Sequence, residues 1–310
     1  MLRSLRKNPF VNAFFRKLFK GSNRQLSNGL GFMIARWPTS GIVDCSFAGQ
    51  DLKLYNECDD GLVDELYYEM DYAEESDLKL FILLAKNSKT IIDIGANTGG
   101  FSVLAGLANN SASMYAIEPY APNFNRLKIN LGLNNCSNVK PLQVAMGESI
   151  GMIEFTVPES NDITMVSSVN GEFSKAMHPS VKWKKQTVPL ATLDHVKSSN
   201  NIGKIDLIKC DVETYEMSVF RGMDVILRED RPVIIFESFL NDERQTFFNE
   251  VLKKYNYYVY GVLNEGLVHL NNGFRKDVGG LNYLLSSVPP QGNFINYKYL
   301  ASHPDLIIAA

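Results

Sequence analysis

Short apolar runs alternate with amphipathic stretches along most of this chain. From residue 77 onward, apolar runs bounded by turn residues predict buried strands, and the stretches between them carry apolar residues at helical spacing. Strands alternating with helices predict a doubly wound, mostly parallel sheet of seven strands, with helices on both faces and an α/β fold class. The predicted strands are Thr90–Ile94, Ser113–Ile117, Val139–Val144, Ile205–Lys209, Pro232–Phe236, Tyr257–Val262 and Asn282–Leu285, with hairpin-like strands around Met152–Val157.

The first 40 residues have a different pattern. Phe10, Phe14 and Leu18 recur every four residues with basic side chains around the rest of the turn, which predicts a short amphipathic helix that ends at Gly21. Such a helix can lie on an anionic membrane surface, pack on the main domain or a partner, or target the chain to an organelle. We therefore divide the chain into a basic amphipathic segment (1–40), a small β and helix extension (41–76) and a main domain (77–310).

Charge divides the chain in a similar way. Residues 1–43 carry eight Lys or Arg and no acid, so the rest of the chain has 23 basic against 34 acidic residues, or about −11, within a net charge of −3. An acidic main domain argues against a nucleic-acid partner, because phosphate contacts dominate that affinity. No apolar run approaches the roughly 18 residues of a membrane-spanning helix. The four cysteines form no CxxC pair, which favours a reducing, cytoplasmic location, with peripheral membrane contact through the basic segment as a further possibility.

The strongest chemical signal is the segment Ile91–Gly100, IIDIGANTGG. A buried strand runs through Asp93, and glycines at 95, 99 and 100 lead into the next helix. Glycine accepts positive φ and lets a ligand approach the backbone, and in doubly wound sheets the ligand crevice lies beyond the carboxyl ends of the strands. A dinucleotide fingerprint would have glycine at Asn97, so the position that cradles a pyrophosphate is missing. The spacing is that of methyltransferases, whose ligand S-adenosylmethionine joins an amino acid to a nucleoside without phosphate.

Two later strand ends extend this predicted cofactor site. Glu118 ends the second strand, 19 residues after Gly99, where an acid accepts hydrogen bonds from both ribose hydroxyls. After the third strand, Met146 either lies where an adenine ring would sit or is a core residue. The predicted cofactor-binding residues are Asp93, Gly95, Asn97, Gly99, Glu118, Pro119, Ala145 and Met146.

Three acids at later strand ends are the predicted catalytic residues. Asp211 and Glu213 follow one strand, and Glu237 ends the segment PVIIFE. An alcohol acceptor must lose a proton during methyl transfer, and a positioned base contributes roughly 10²–10⁴-fold; Asp211 is the first candidate. These acids could instead be solvated, pair with Lys209 and Arg221, or bridge a divalent metal ion, which is the less favoured alternative.

Five segments in order resemble the FkbM family of methyltransferases. They are IDIGANTGGFS, AIEPYAPNFNRLKINLGLN, VAMGESIG, IDLIKCDVETYE and PVIIFES, within residues 68–285. The resemblance implies a class I methyltransferase (Rossmann-like) fold and S-adenosylmethionine-dependent O-methylation of a hydroxyl on a small molecule, such as a sugar or natural product, or on a glycan. This chain has Thr214 where relatives usually have glycine, and the basic segment lies outside the resemblance.

Two other functions stay open on the residues alone. A nicotinamide-dependent oxidoreductase shares the sheet, although Asn97 disfavours it. A non-catalytic scaffold of the same fold would be expected to carry a degraded cofactor loop. The polar stretch Pro158–Val188 is predicted to be a long loop and a candidate lid.

Overall fold

The fold is organised around one large sheet. The computed structural model describes residues 8–20, 37–69, 75–160, 168–275 and 282–308. Its strands are β1 (Ser40–Phe47), β2 (Gln50–Glu57), β3 (Thr90–Ile94), β4 (Ser113–Ile117), β5 (Val139–Leu142), β6 (Ala145–Met146), β7 (Gly151–Pro158), β8 (Trp183–Ala191), β9 (Leu207–Cys210), β10 (Val233–Glu237), β11 (Tyr258–Leu263), β12 (Gly266–His269), β13 (Asn282–Ser286) and β14 (Phe294–Asn296). Its helices are α1 (Pro9–Lys20), α2 (Gly61–Tyr68), α3 (Glu75–Ala85), α4 (Gly100–Ala108), α5 (Ala121–Leu133), α6 (Gly171–Met177), α7 (Leu193–Ser199), α8 (Glu216–Arg221), α9 (Asp224–Glu229), α10 (Asp242–Tyr255) and α11 (Tyr297–Ser302).

The large sheet has the strand order β14-β12-β11-β13-β10-β9-β3-β4-β5. Strands β5, β4, β3, β9 and β10 are parallel neighbours, and β13 runs antiparallel between β10 and β11. The α/β, mostly parallel sheet is thereby confirmed. The number of strands differs, because the described residues form nine strands in this sheet rather than seven. The two additional strands, β12 and β14, are short antiparallel edge strands whose few residues carry little alternating pattern.

Both faces of the sheet are covered by apolar side chains. Ile91 and Ala116 join one buried cluster, while Ile92 and Ile208 join a second that includes Phe236. Burial on both faces explains why these strands are nearly continuous apolar runs. The order of progression reverses between β3 and β9, which leaves a crevice at the carboxyl ends of these strands.

A second sheet lies after β5, in the order β6-β8-β7. β7 and β8 pair antiparallel, so the prediction of a long loop over Pro158–Val188 is wrong: α6 and most of β8 occupy the greater part of its described residues. Val188 and Leu190 are buried against Phe155, while exposed lysines occupy the preceding positions of β8. Because these lysines interrupt the alternation of apolar and polar residues, the sequence did not predict β8.

The extension folds against the main sheet. β1 and β2 form a hairpin, and buried Val43, Leu54 and Val63 belong to the same apolar cluster as Phe81 and Leu104 of α3 and α4. The boundaries at residues 40 and 76 stay a prediction.

The predicted N-terminal helix is confirmed as α1, and it docks through polar side chains and through the Phe15 ring, which stacks on Trp37 at 4.7 Å. Asn12 Nδ2 donates to the carbonyl of Pro38 (2.7 Å), and Arg16 donates to the carbonyls of Ser40 and Ile42 (3.2 Å each). The rest of the basic segment, residues 1–7 and 21–36, lies outside the described residues. Within the part of the chain that the structure describes, no helix is long and apolar enough to cross a membrane.

Candidate active site

A cavity opens at the carboxyl ends of the central strands. It holds about 1350 Å³ of empty space, counting the part open to solvent. The crevice predicted from the reversal of strand order lies at this edge of the sheet. Every predicted site residue except Gly99 lines it: Asp93, Gly95, Asn97, Glu118, Pro119, Ala145, Met146, Asp211, Glu213 and Glu237.

The turn after β3 depends on two glycines for different reasons. Gly95 has φ +80°, and a Cβ atom there would overlap the backbone carbonyl of Asp211. The amides of Gly95 and Ala96 both donate to the Ile117 carbonyl at 2.9 Å, which ties the turn to the end of β4. Gly99 has φ +93°, and its Cβ would lie 2.5 Å from Leu127 Cδ1. Gly99 therefore allows α5 to pack closely, and it does not face the cavity.

Asp93 presents a buried carboxylate to the cavity. Its side chain is fully buried, and Oδ2 accepts a hydrogen bond from Ser102 Oγ at 2.6 Å. Oδ1 has no hydrogen-bond partner among the described residues. Burial raises the pKa of this carboxyl group, and the Lys209 ammonium opposes the rise. A buried carboxylate oxygen of this kind calls for a donor from a ligand or water.

Glu118 is bonded to the glycine turn. Its Oε2 accepts from the Asn97 amide at 3.0 Å, and its Oε1 accepts from the Tyr120 amide at 2.8 Å. Asn97 has φ +51°, a left-handed conformation that Asn tolerates better than most residues. Burial raises the pKa of Glu118 to about 7. Each carboxylate oxygen has a further lone pair, so the group retains the capacity to accept two hydroxyl donors.

Apolar side chains form the neighbouring wall. Met146 is buried and belongs to the cluster that contains Ile94 and Ile117, and it also lines the cavity with Ala145 and Phe155. The two interpretations of Met146, core residue and ligand contact, are therefore compatible. The wall formed by Ala145, Met146 and Phe155 suits a flat apolar ring.

Asp211, Glu213 and Glu237 form an acidic end of the cavity around one buried cation, Lys209. Lys209 Nζ lies 3.0 Å from Asp211 Oδ2 and 4.4 Å from the centre of the Phe101 ring. Burial lowers the pKa of Lys209, but the carboxylates of Asp211, Asp93 and Asp77 outweigh it and hold the pKa above its usual range. Lys209 is therefore an ammonium ion. The other suggested cation, Arg221, contacts Glu148 instead, at 3.4 Å.

Glu213 and Glu237 have pKa values close to neutrality. Burial and repulsion from Asp211 raise the pKa of Glu213 to about 7 and that of Glu237 to about 8. Glu213 and Thr214 both have left-handed backbones, with φ of 49° and 75°. Thr214, which stands where relatives usually have glycine, thus has a positive φ that glycine would adopt readily. Its Oγ1 accepts a hydrogen bond from Asn170 Nδ2 at 2.8 Å.

Several lining residues were not predicted. Asp60 lies between β2 and α2 and caps α2, because its Oδ1 accepts a hydrogen bond from the Val63 amide at 3.3 Å. Its Oδ2 accepts a hydrogen bond from Thr98 Oγ1. Asp77 lies in α3, and Asn282 begins β13. Asp60 carries a helix-cap signal in the sequence, but no local pattern places these residues beside the glycine turn. In the described ranges, no three His, Cys, Asp or Glu side chains are grouped as metal ligands.

The sheet order, the glycine turn after its first parallel strand and the acid that bonds to that turn from the next strand define a class I methyltransferase fold. The chain belongs to the FkbM family of methyltransferases. The family profile described as the methyltransferase FkbM domain matches residues 93–262, more than half of the chain. This match includes the turn, Glu118 and all three acids at the later strand ends.

Known proteins of related sequence carry methyltransferase names. The chain is 27% identical over 174 residues to hexuronic acid methyltransferase AglP of Haloferax volcanii, covering 56% of this chain and 66% of that protein. It is 28% identical over 144 residues to methyltransferase 1 of Beauveria bassiana, covering 43% of this chain and 58% of that protein. The chain thus spans roughly three-fifths of the length of these relatives. Among solved structures, an FkbM methyltransferase from Methylobacillus flagellatus KT aligns with a TM-score of 0.41 at 14% identity, over 64% of this chain and 44% of that one.

Proposed function

We propose that the protein transfers a methyl group from S-adenosylmethionine to a hydroxyl group of a sugar, a glycan or a natural product. The observation that carries this proposal is the hydrogen bond of 3.0 Å from the Asn97 amide to Glu118 Oε2, which joins the glycine turn and the acid into one cradle at the cavity. The relative named as a hexuronic acid methyltransferase supports an acceptor of the sugar class.

The residues present fit this cofactor. Glu118 keeps acceptor capacity for two ribose hydroxyls, and the unpartnered Asp93 Oδ1 can accept from a hydroxyl or ammonium donor. The wall at Ala145 and Met146 suits an adenine ring. A nicotinamide cofactor fits less well, because Asn97 occupies the position where glycine would receive a pyrophosphate.

The acidic end of the cavity can receive the acceptor's proton. S-adenosylmethionine supplies an electrophilic methyl group on a positively charged sulfur. We assign Asp211 as the group that accepts the hydroxyl proton, since Lys209 holds its Oδ2 at 3.0 Å and fixes the orientation of the carboxylate. Glu213 and Glu237, with pKa values of about 7 and 8, are positioned to orient the acceptor or to share the proton near neutral pH.

Ligand-induced stabilisation tests the cofactor assignment. A ligand at 100 times its Kd stabilises the folded state by about 2.7 kcal/mol, so S-adenosylhomocysteine should raise Tm clearly, whereas NAD should not. Stabilisation by NAD and none by S-adenosylhomocysteine would reverse the assignment. Labelled S-adenosylmethionine incubated with fractionated cell extract then distinguishes an active enzyme from a non-catalytic scaffold.

The partner proposed for α1 is an anionic membrane surface at the cytoplasmic side. Phe10 and Phe14 are 88% and 66% exposed. Asn12 and Arg16 face the protein, and the Phe15 ring stacks on Trp37 at 4.7 Å, so the side of the helix that carries Phe10 and Phe14 points outward. Residues 1–43 carry eight basic residues and no acid, which complements anionic lipids. A nucleic-acid partner is not proposed, because the remainder of the chain is acidic.

Cosedimentation with vesicles tests this contact. The full chain should bind phosphatidylglycerol-containing vesicles and not pure phosphatidylcholine vesicles, and Phe10→Ser with Phe14→Ser should abolish binding. The control Phe294→Ser changes a phenylalanine that is 50% exposed on β14 and should bind like the wild type. Equal binding of the double variant and the wild type would exclude α1 as the contact.

A further inference from the structure

The extension reaches the glycine turn after β3 through Asp60. This residue is 1% exposed and lines the cavity, although it lies outside residues 93–262, which match the family profile. Its Oδ1 accepts from the Val63 amide at 3.3 Å and so caps α2, while its Oδ2 accepts a hydrogen bond from Thr98 Oγ1. A helix cap needs one side-chain oxygen, so the bond from Thr98 requires a different explanation.

Thr98 lies at a constrained point of the turn. It stands between two residues with left-handed backbone, Asn97 with φ of 51° and Gly99 with φ of 93°. Its side chain is buried and lines the cavity, and its carbonyl accepts from Asn130 Nδ2 at 2.8 Å. A left-handed residue with a Cβ atom persists only where its surroundings hold it. The bonds to Thr98 therefore help to hold Asn97 in the conformation in which its amide donates to Glu118.

Two further contacts join the extension to the turn. Asn130 Oδ1 accepts from the Tyr55 amide of β2 at 2.7 Å, so the extension reaches Thr98 a second time through α5. At Gly100, which follows the turn, a Cβ atom would lie 2.5 Å from Leu62 Cδ2 of α2. The glycine at this position thus leaves room for the extension to pack against the start of α4.

We infer that Asp60 is a positioning residue for cofactor binding, because its hydrogen bond with Thr98 holds the glycine turn in the conformation that receives S-adenosylmethionine. The extension is thereby part of the cofactor site as well as a cover for the main sheet. This role of Asp60 rests on the proposed function, and it concerns the affinity for the cofactor rather than the choice of acceptor.

Asp60→Ser separates the helix cap from the contact with the turn. Serine is as good a cap as aspartate, but its single oxygen cannot occupy the positions of both carboxylate oxygens. The far-UV circular dichroism of the full chain should therefore stay that of the wild type. The Kd for S-adenosylhomocysteine, measured by isothermal titration calorimetry, should rise by at least about tenfold. An unchanged Kd would overturn the positioning role.

Substitutions of Thr98 test the same hydrogen bond from its other end. Thr98→Val replaces the hydroxyl group with a methyl group and should raise the Kd about as much as Asp60→Ser does. Thr98→Ser, which restores the hydroxyl group, should recover most of the affinity that Thr98→Val loses. The double variant with Asp60→Ser and Thr98→Val should bind no more weakly than the weaker single variant, because both changes remove one bond. Additive losses would mean that Asp60 does not act through Thr98, and would overturn the inference.

A helix cap far from the turn provides the matched control. Asn296, on the edge strand β14, caps α11 by accepting from the Lys298 amide at 2.9 Å. Asn296→Ser should therefore leave the Kd for S-adenosylhomocysteine unchanged. Absence of binding by the wild type would overturn the proposed function and the role of Asp60 with it. Binding by the wild type with the same Kd in Asp60→Ser would overturn only the role of Asp60.

Discussion

Two turns meet at the edge of the sheet, one after β3 and one after β9, and both use left-handed backbone. The first places glycine at two of its three left-handed positions, with φ of +80° at Gly95 and +93° at Gly99, and asparagine at the third, with φ of 51° at Asn97. The second keeps side chains there, with φ of 49° at Glu213 and 75° at Thr214. Left-handed conformation costs a residue with a Cβ roughly 1–2 kcal/mol.

The residues at the left-handed positions of the two turns differ because the two turns have different roles. At Gly95 a Cβ would overlap the Asp211 carbonyl, so the space between the two turns excludes a side chain. At Glu213 and Thr214 the side chains are themselves used, because Glu213 lines the cavity and Thr214 Oγ1 accepts from Asn170. At Gly95 the first turn lacks a side chain so that two backbone segments can approach, whereas the second turn tolerates strain to place side chains in the site.

Gly95→Ala should have the largest effect on this arrangement. The overlap with Asp211 and the positive φ together should lower the free energy of unfolding by about 2–4 kcal/mol and abolish stabilisation by S-adenosylhomocysteine. Urea unfolding and thermal shift measure both effects. Gly132→Ala is the matched control, since Gly132 lies in α5 with open space around it, and it should stabilise by roughly 0.5–1 kcal/mol. Wild-type binding by Gly95→Ala would remove this turn from the cofactor site.

Asp211→Asn should separate binding from chemistry. Asparagine keeps the size of the side chain but is a poor base, so stabilisation by S-adenosylhomocysteine should stay near that of the wild type while kcat falls at least about 100-fold. Single-turnover transfer of labelled methyl measures the second effect. Glu250→Gln, an exposed position on α10, serves as control. If kcat is retained, the proton leaves through another group, with Glu213 and Glu237 the next to be tested.

The pH dependence of stability tests the acidic end. The folded pKa values of Glu213 and Glu237, raised by burial to about 7 and 8, exceed the 4.5 of an exposed glutamate. Between pH 4.5 and 8 the folded state therefore binds more protons than the unfolded state, so the free energy of unfolding should fall as pH rises and level off above pH 8. Glu237→Gln should reduce this slope, by at most about 1.4 kcal/mol per pH unit. An unchanged slope would show that Glu237 titrates normally.

Thr214→Gly should have the smallest effect. Relief of the left-handed strain, about 1–2 kcal/mol, opposes the loss of the hydrogen bond from Asn170 and the greater freedom of glycine in the unfolded chain. We expect a net change in the free energy of unfolding within about 1 kcal/mol, measured by urea unfolding, in contrast to Gly95→Ala. Thr214→Ser, which retains the hydroxyl group, controls for the hydrogen bond. A loss well beyond this range would mean that Thr214 stabilises the turn through contacts other than Asn170.

Prediction from sequence succeeded where the signal is local. The glycine turn after β3, the acid after β4, the two acids after β9 and the acid that ends β10 follow from short runs of residues. Every residue chosen from these runs except Gly99 lines the cavity. It failed for β8, where lysines obscure the alternation, and for the short edge strands β12 and β14.

The sequence by itself determined the alternation of strands and helices and the positions where the backbone turns sharply, because hydrophobic periodicity and glycine act over a few neighbouring residues. Only the tertiary structure decided that Asp60 and Asp77 join the strand-end acids, that Gly99 packs against α5 rather than lining the cavity, and that Phe10 and Phe14 of α1 face outward. These features depend on which distant segments come into contact, and such contacts arise from the packing of whole elements, which no local pattern encodes.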